Sequence, residues 1–230
     1  MRPRSRPRGF GLIELVVSTA VLAFIFGIVF LLFSYALNGY AALDARQGVQ
    51  GAALKARVIM ERDFSLSHFL SMGTVDRDFE GHERDIVCML GLSNWSDEGA
   101  FASNGLPRWD RQIVYYSHAD REDGRLMRAV LAPDTPPGLD CLRIAPVAAG
   151  LLGQVDQAVP PGELAMIERQ QVVDGVQEFS CRSDPAYQLV EVRLAVRRVS
   201  GLRGGEGVAR TEETMEAVFQ FDPLNTSPRL

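Results

Sequence analysis

"RPRGFGLIELVVSTAVLAF", residues 6–24, sets a carboxylate, Glu14, at the entrance to an apolar run and directly after an arginine-rich start. Residues 15–37 give 23 positions without a charge, and the next charged residue after Glu14 is Asp44. A helix of about 20 apolar residues spans the hydrocarbon core of a bilayer. A cleaved secretory signal has an apolar core of only about 7–15 residues, so this run is too long for one. A plain single-pass anchor fits its length. Arginines before the span and none close after it keep the N-terminus cytoplasmic and export the body. Neither an export signal nor a plain anchor accounts for Glu14. An acid costs about 2.5–3.5 kcal/mol at the centre of an inserted helix, and less near its end.

A positive partner would remove the difficulty. If the chain were cut between Gly9 and Phe10, the new α-amino group would lie four residues before Glu14. It could be offered to the chain's own carboxylate or to that of a neighbouring subunit. A buried pair of this kind mainly fixes register, because desolvation offsets much of the Coulomb attraction.

The run Arg8-Gly9-Phe10-Gly11-Leu12-Ile13-Glu14-Leu15, with Arg2, Arg4 and Arg6 before it, resembles the type IV prepilin signal. That signal has a basic leader, then glycine and phenylalanine, then glutamate as the fifth residue of the mature chain. The resemblance implies that prepilin peptidase, a membrane aspartyl enzyme, cuts after Gly9 and methylates Phe10. Removal of residues 1–9 would leave a mature chain of 221 residues. Gly11 departs from the Thr or Ser more usual there. The span contains no proline, so no proline kink is expected.

The rest of the chain suits a folded body. It has 230 residues, 47% of them hydrophobic and 23% charged, close to globular averages. The net charge is −5; without the four leader arginines the balance is 20 basic against 29 acidic residues, or −9. Nucleic acid is therefore not expected as a partner, since it is bound through clustered Lys and Arg. Cys88, Cys141 and Cys181 are widely spaced with no C-x-x-C pair, which argues against a zinc ribbon or a redox motif. Outside the cytoplasm two of the three could form one disulfide, with all three pairings open; the plainer reading is three small buried side chains.

Helical spacing continues past the span. Leu37, Tyr40/Ala41, Ala45, Val49, Ala52/Ala53, Ala56, Ile59/Met60 and Phe64 recur every three or four residues, with charges between them. Gly39, Gly48 and Gly51 should soften this helix, each by about 1 kcal/mol relative to Ala. One helix over residues 12–70, stopped at Gly73, would be about 90 Å long. Strand patterns follow at 85–92, 112–117, 125–131, 172–181 (broken by Asp174-Gly175), 189–199 and 214–221. In 189–199, Val190, Val192, Leu194 and Val196 alternate with Glu191, Arg193 and Arg197; in 214–221, Met215, Ala217, Phe219 and Phe221 alternate with Thr214, Glu216 and Gln220. Both strands therefore have one buried and one wet face. The fold class expected is α+β: a long N-terminal helix, transmembrane in its first half, packed on an antiparallel sheet. The organisation is a basic leader at 1–9, a transmembrane or filament-core helix at 10–37, its amphipathic continuation at 38–72 and a β-rich periplasmic domain at 73–230.

Little in the body points to chemistry. His68, His82 and His118 lack ligand spacing and read as isolated surface residues. "GLRGGEG" (201–207) lacks the Lys-Ser/Thr of a phosphate loop and reads as a hairpin loop. Two other segments, 134–140 and 159–163, are proline-rich loops, and "DFEGHERD" (78–85) reads as a solvated acidic loop without the spacing of a calcium-binding helix–loop–helix. No catalytic residue, metal or cofactor is expected.

"MERDF" (60–64), "IVYYSHADREDGRLMRAV" (113–130) and "VVDGVQEFSC" (172–181) resemble segments of the larger minor subunits of this family, the J-type minor pseudopilin of type II secretion and the W-type minor pilin of type IV pili. That resemblance implies a structural subunit that starts or caps a filament at or near its tip. Its partners would be prepilin peptidase, other minor subunits, the major subunit and the bacterial inner membrane, with the body in the periplasm. The alternative is a single-pass anchored periplasmic binding or sensor domain that joins no filament.

Overall fold

The computed structural model describes residues 11–103, 105, 107–117, 124–133, 164–200 and 211–223. The leader arginines, Gly9, Phe10, His118, Cys141, both proline-rich segments and 201–207 lie outside them. The architecture is α+β and pilin-like: one long N-terminal apolar helix followed by a curled antiparallel sheet.

Helix α1 runs Leu12–Leu66 without interruption, 55 residues or about 80 Å at 1.5 Å per residue. It carries straight through Gly39, Gly48 and Gly51. Beyond the span its sheet-facing stripe is Ala45, Val49, Ala53, Ala56, Met60, Asp63 and Phe64, so packing overrides the local weakness of the glycines. It stops short of residue 70. Ser67 is extended and its N–H donates to the Phe64 carbonyl at 3.1 Å, and a single 3-10 turn follows at Phe69–Ser71. Gly73 is therefore not the helix stop: it opens strand β1, Gly73–Val75, opposite Cys88.

A small hairpin of β2 (Asp78–Phe79) and β3 (His82–Glu83) precedes the main sheet strands β4 (Ile86–Gly91), β5 (Arg111–Ser117) and β6 (Gly124–Pro133). Strands β7 (Leu164–Asp184), β8 (Leu189–Ser200) and β9 (Thr211–Phe221) complete it. The seven-stranded order is β1-β4-β5-β6-β7-β8-β9, antiparallel throughout.

Strand β7 has 21 residues, far beyond the usual strand length, and it curls the sheet. Its first part pairs with β6 and its second with β8; the register shifts near residue 176 in both ladders. Gly175 sits beside this join with φ +73°, and a Cβ there would lie 2.2 Å from the Arg197 carbonyl oxygen. Only glycine fits both the left-handed backbone and the close approach. The break expected at Asp174-Gly175 is thus a bend within one strand.

The curl brings the start of β4 onto the second part of β7. Arg84 bridges Phe179, and the Asp85 N–H donates to the Phe179 carbonyl at 2.8 Å. Asp85 accepts in turn from the backbone N–H of Cys181 (3.0 Å) and of Arg77 (3.2 Å). Burial pushes its pKa up, and these two hydrogen bonds pull against that. Arg84 is fully buried with its guanidinium over the Phe79 ring, 4.7 Å from the centroid. The reading of 78–85 as a solvated loop is therefore overturned at its last two residues and by its β2–β3 hairpin.

Two apolar clusters flank the sheet. The larger lies between α1 and the inner face, with Met60, Phe64, Val87, Tyr115, Phe179, Leu194 and Phe221 in it; the smaller, on the outer face, holds Ile86, Cys88, Trp109, Tyr116 and Leu131. The alternation read in 189–199 and 214–221 holds: Val190, Val192, Leu194 and Val196 are buried, and Thr214, Glu216 and Gln220 are exposed.

Candidate assembly site

The functional expectation rests on the start of α1. Glu14 is in the first helical turn and exposed. Its carboxylate accepts the backbone N–H of Gly11 at 3.2 Å, satisfying one of the donors that every helix start leaves unpaired. Gly11, which has no side chain to cap with, leaves this to Glu14. The sequence reading missed this local role, although an acid three residues into a helix is itself the signal for it. The carboxylate is therefore held at the Gly11 N–H, one residue on from Phe10 in the sequence.

Over residues 12–40 the helix exposes nearly every side chain. Leu12, Ile13, Leu15, Phe24, Phe30, Leu31 and Phe33 are all exposed, and the most apolar 18-residue window is not buried at all. Burying such a surface contributes about 25 cal/mol per Å², so it is made for a bilayer or for other helices. The polar Thr19 suits that setting, since its hydroxyl donates back to the Leu15 and Val16 carbonyls at 3.0 and 2.9 Å. Length and composition qualify this helix, among the described residues, to cross a membrane.

At its other end α1 is fixed to the body by a buried polar contact. Asp63 accepts from Tyr115 Oη at 2.6 Å, from Arg128 Nε and from Arg128 Nη2 at 3.3 Å. Burial pushes the Tyr115 hydroxyl well above its ordinary range, with the Asp63 charge next in weight. For Arg128, burial works against the charge, but Asp63 outweighs it and the guanidinium stays firmly protonated. Stacking of Phe64 on Phe221, 4.8 Å between centroids, closes the apolar side of the same joint.

The remaining predicted residues do not converge. Cys88 and Cys181 sit in different apolar clusters on opposite faces of the sheet and do not bond to each other. Burial, with Asp85 nearby, pushes the Cys181 thiol up to about 12, so it behaves as a small hydrophobe. His68 is not at the surface: it is buried, its Nδ1 accepts the Leu70 N–H at 3.1 Å, and burial lowers its pKa. His82 is half exposed beside Glu178, at 3.3 Å. Among the described residues no three His, Cys, Asp or Glu side chains form a group that could hold a metal ion.

Comparison with protein families adds the deciding observation: residues 4–30 match the prokaryotic N-terminal methylation motif. The chain carries a type IV pilin signal. The matched residues span the predicted cut, Phe10, Glu14 and the first half of the apolar helix. They support a type IV pilin-like protein that is processed by prepilin peptidase and held in a membrane through this helix, and they fit a structural subunit rather than an enzyme. No curated protein and no solved structure matches the chain.

Proposed function

We propose that the protein is a minor pilin or pseudopilin, a low-copy subunit that starts or caps a type IV pilus or a type II secretion pseudopilus at or near the tip. The observation that carries this reading is the methylation motif running directly into an apolar helix that the body leaves uncovered. In the inner membrane the body faces the periplasm. The peptidase removes residues 1–9 and methylates Phe10. The helix then leaves lipid for a bundle of neighbouring helices, and Glu14 trades its contact with the Gly11 N–H for the amine of a subunit beside it.

That exchange makes the acid useful for register more than for affinity. Glu14→Val should insert into the membrane at least as well as the parent and be lost from sheared filaments. Equal incorporation of the variant would refute the docking role. Deleting the gene and scoring surface pili alongside secreted enzymes separates the two systems, since loss of only one phenotype assigns the subunit to that machine.

A further inference from the structure

A cleft of about 350 Å³ lies between the last turn of α1 and the ends of the strands next to it, at the small end of the range for ligand sites. Ile113 and Val130, opposite each other in the β5–β6 ladder, lie side by side in its lining. Leu66 and the half-buried indole of Trp95 add to its apolar wall. Gly91 contributes no side chain to it, and a Cβ there would lie 2.9 Å from Ile113 Cδ1. From Leu37 to Arg62 the helix rises about 40 Å, so lipid headgroups around the apolar span are out of reach.

Charge indicates what the cleft selects. Among the described residues its lining holds Arg62, Arg111 and Arg128 against Asp63 and Glu168, a net charge of +1. Four of the five are committed to one another: Arg128 holds Asp63 and Glu168, and Arg62 Nε lies 4.0 Å from Asp63. Arg111 is half-buried and has no hydrogen bond or ion pair among the described residues. Its register partner on β4 is Gly91, so no acid stands opposite it there. The surplus is one guanidinium partly withdrawn from water, and its complement is one negative charge. A carboxylate supplies that charge and matches the planar fork with two parallel hydrogen bonds. A phosphate group brings nearly two charges and would face Asp63 and Glu168 as well. A free amino acid would add an ammonium group to a lining that is already net positive. A carboxylate beside an aliphatic side chain, without an amine, is what the C-terminal residue of a protein chain presents.

We propose that this cleft binds the C-terminal residue of another protein chain, with its carboxylate on Arg111 and its aliphatic side chain against Ile113 and Val130. The ion pair fixes the direction of the bound chain, and the apolar wall selects its last side chain. The site is on the body and does not depend on filament assembly.

The test uses the full-length chain in detergent micelles and three probes: acetyl-Ala-Ala-Leu with a free carboxylate, the same peptide as its C-terminal amide, and free leucine. Equilibrium dialysis should give the acid a dissociation constant on the order of 1 mM. The amide and free leucine should bind at least about tenfold more weakly. Because Trp95 is in the lining, binding of the acid should change the tryptophan emission. Arg111→Gln should weaken the acid about tenfold and leave the amide as it was, and Arg111→Lys should recover part of the loss. Unchanged far-ultraviolet circular dichroism would show that both variants are folded. Equal binding of acid and amide would overturn the proposal, as would free leucine binding as tightly as the peptide. So would an Arg111→Gln variant with the parent's affinity, or binding that leaves the tryptophan emission unchanged, which would put the peptide elsewhere. Failure of the acid to bind at all would overturn it too.

Discussion

Asp63→Ala probes the joint that fixes helix to sheet. Asp63 is 4% exposed and Arg128 8%, so the truncation strands a guanidinium and the Tyr115 hydroxyl in a water-poor site. Removing one partner of a buried pair costs about 3–5 kcal/mol. Glu168 remains 3.4 Å from Arg128 Nη1 but is more than half exposed, and it recovers a fraction, so about 3 kcal/mol is expected. The chain's two tryptophans, Trp95 and Trp109, both lie in the body. Their fluorescence in detergent therefore follows urea unfolding of the sheet without interference from the membrane helix. With a slope of about 2 kcal/mol per molar urea, the midpoint should fall by about 1.5 M. Asp63→Leu combined with Arg128→Met should recover the part of the loss that the stranded guanidinium causes, because a buried pair replaced by apolar groups of similar size is often neutral. The Tyr115 hydroxyl stays unpaired. A single variant within about 0.5 kcal/mol of the parent, or a double variant as unstable as the sum of the singles, would refute the reasoning.

Gly175→Ala forces a Cβ to 2.2 Å from the Arg197 carbonyl at positive φ and should destabilise by about 2 kcal/mol or more, whereas Gly51→Ala, exposed on α1 with nothing within 4 Å of the added carbon, should stabilise by about 0.5–1 kcal/mol; urea midpoints of the two variants check the opposite signs. Burial lowers the pKa of His68 in the folded chain below the ordinary histidine value of about 6.5, so the unfolded chain takes up the proton first. Its contribution is then fully present above about pH 6.5 and is lost as pH falls below it. Between pH 7.5 and 5.5 the parent's midpoint should drop. His68→Asn, which keeps an acceptor for the Leu70 N–H, should flatten that dependence, and an unchanged slope in the variant would assign it to another group.

The elements with a strong period were legible. The α1 stripe and the alternation in β8 and β9 come from burial of one face, which a linear pattern records directly. What stayed hidden depends on partners distant in sequence. Arg84 and Asp85 look like part of an acidic loop until the curl of β7 lays Phe179 and Cys181 over them. His68 looks isolated because its burial comes from chain folding back after the helix. The Asp63–Arg128 contact left a readable trace: Asp63 falls on the stripe of Ala56 and Met60, and Arg128 shares the inward parity of Leu126 and Val130 in β6. An unmatched charge at an inward position on each of two elements predicts that they meet. The assembly segment was the most legible part, because lipid imposes its requirements on the segment alone, and a lone acid in such a run stands out.

The mass of the mature N-terminal peptide, from cells with and without prepilin peptidase, tests the central claim most directly. The account predicts a chain that begins at Phe10, carries one added methyl group on its α-amine and has lost residues 1–9 only when the peptidase is present. An intact Met1 in peptidase-positive cells, or a cut anywhere other than between Gly9 and Phe10, would contradict it.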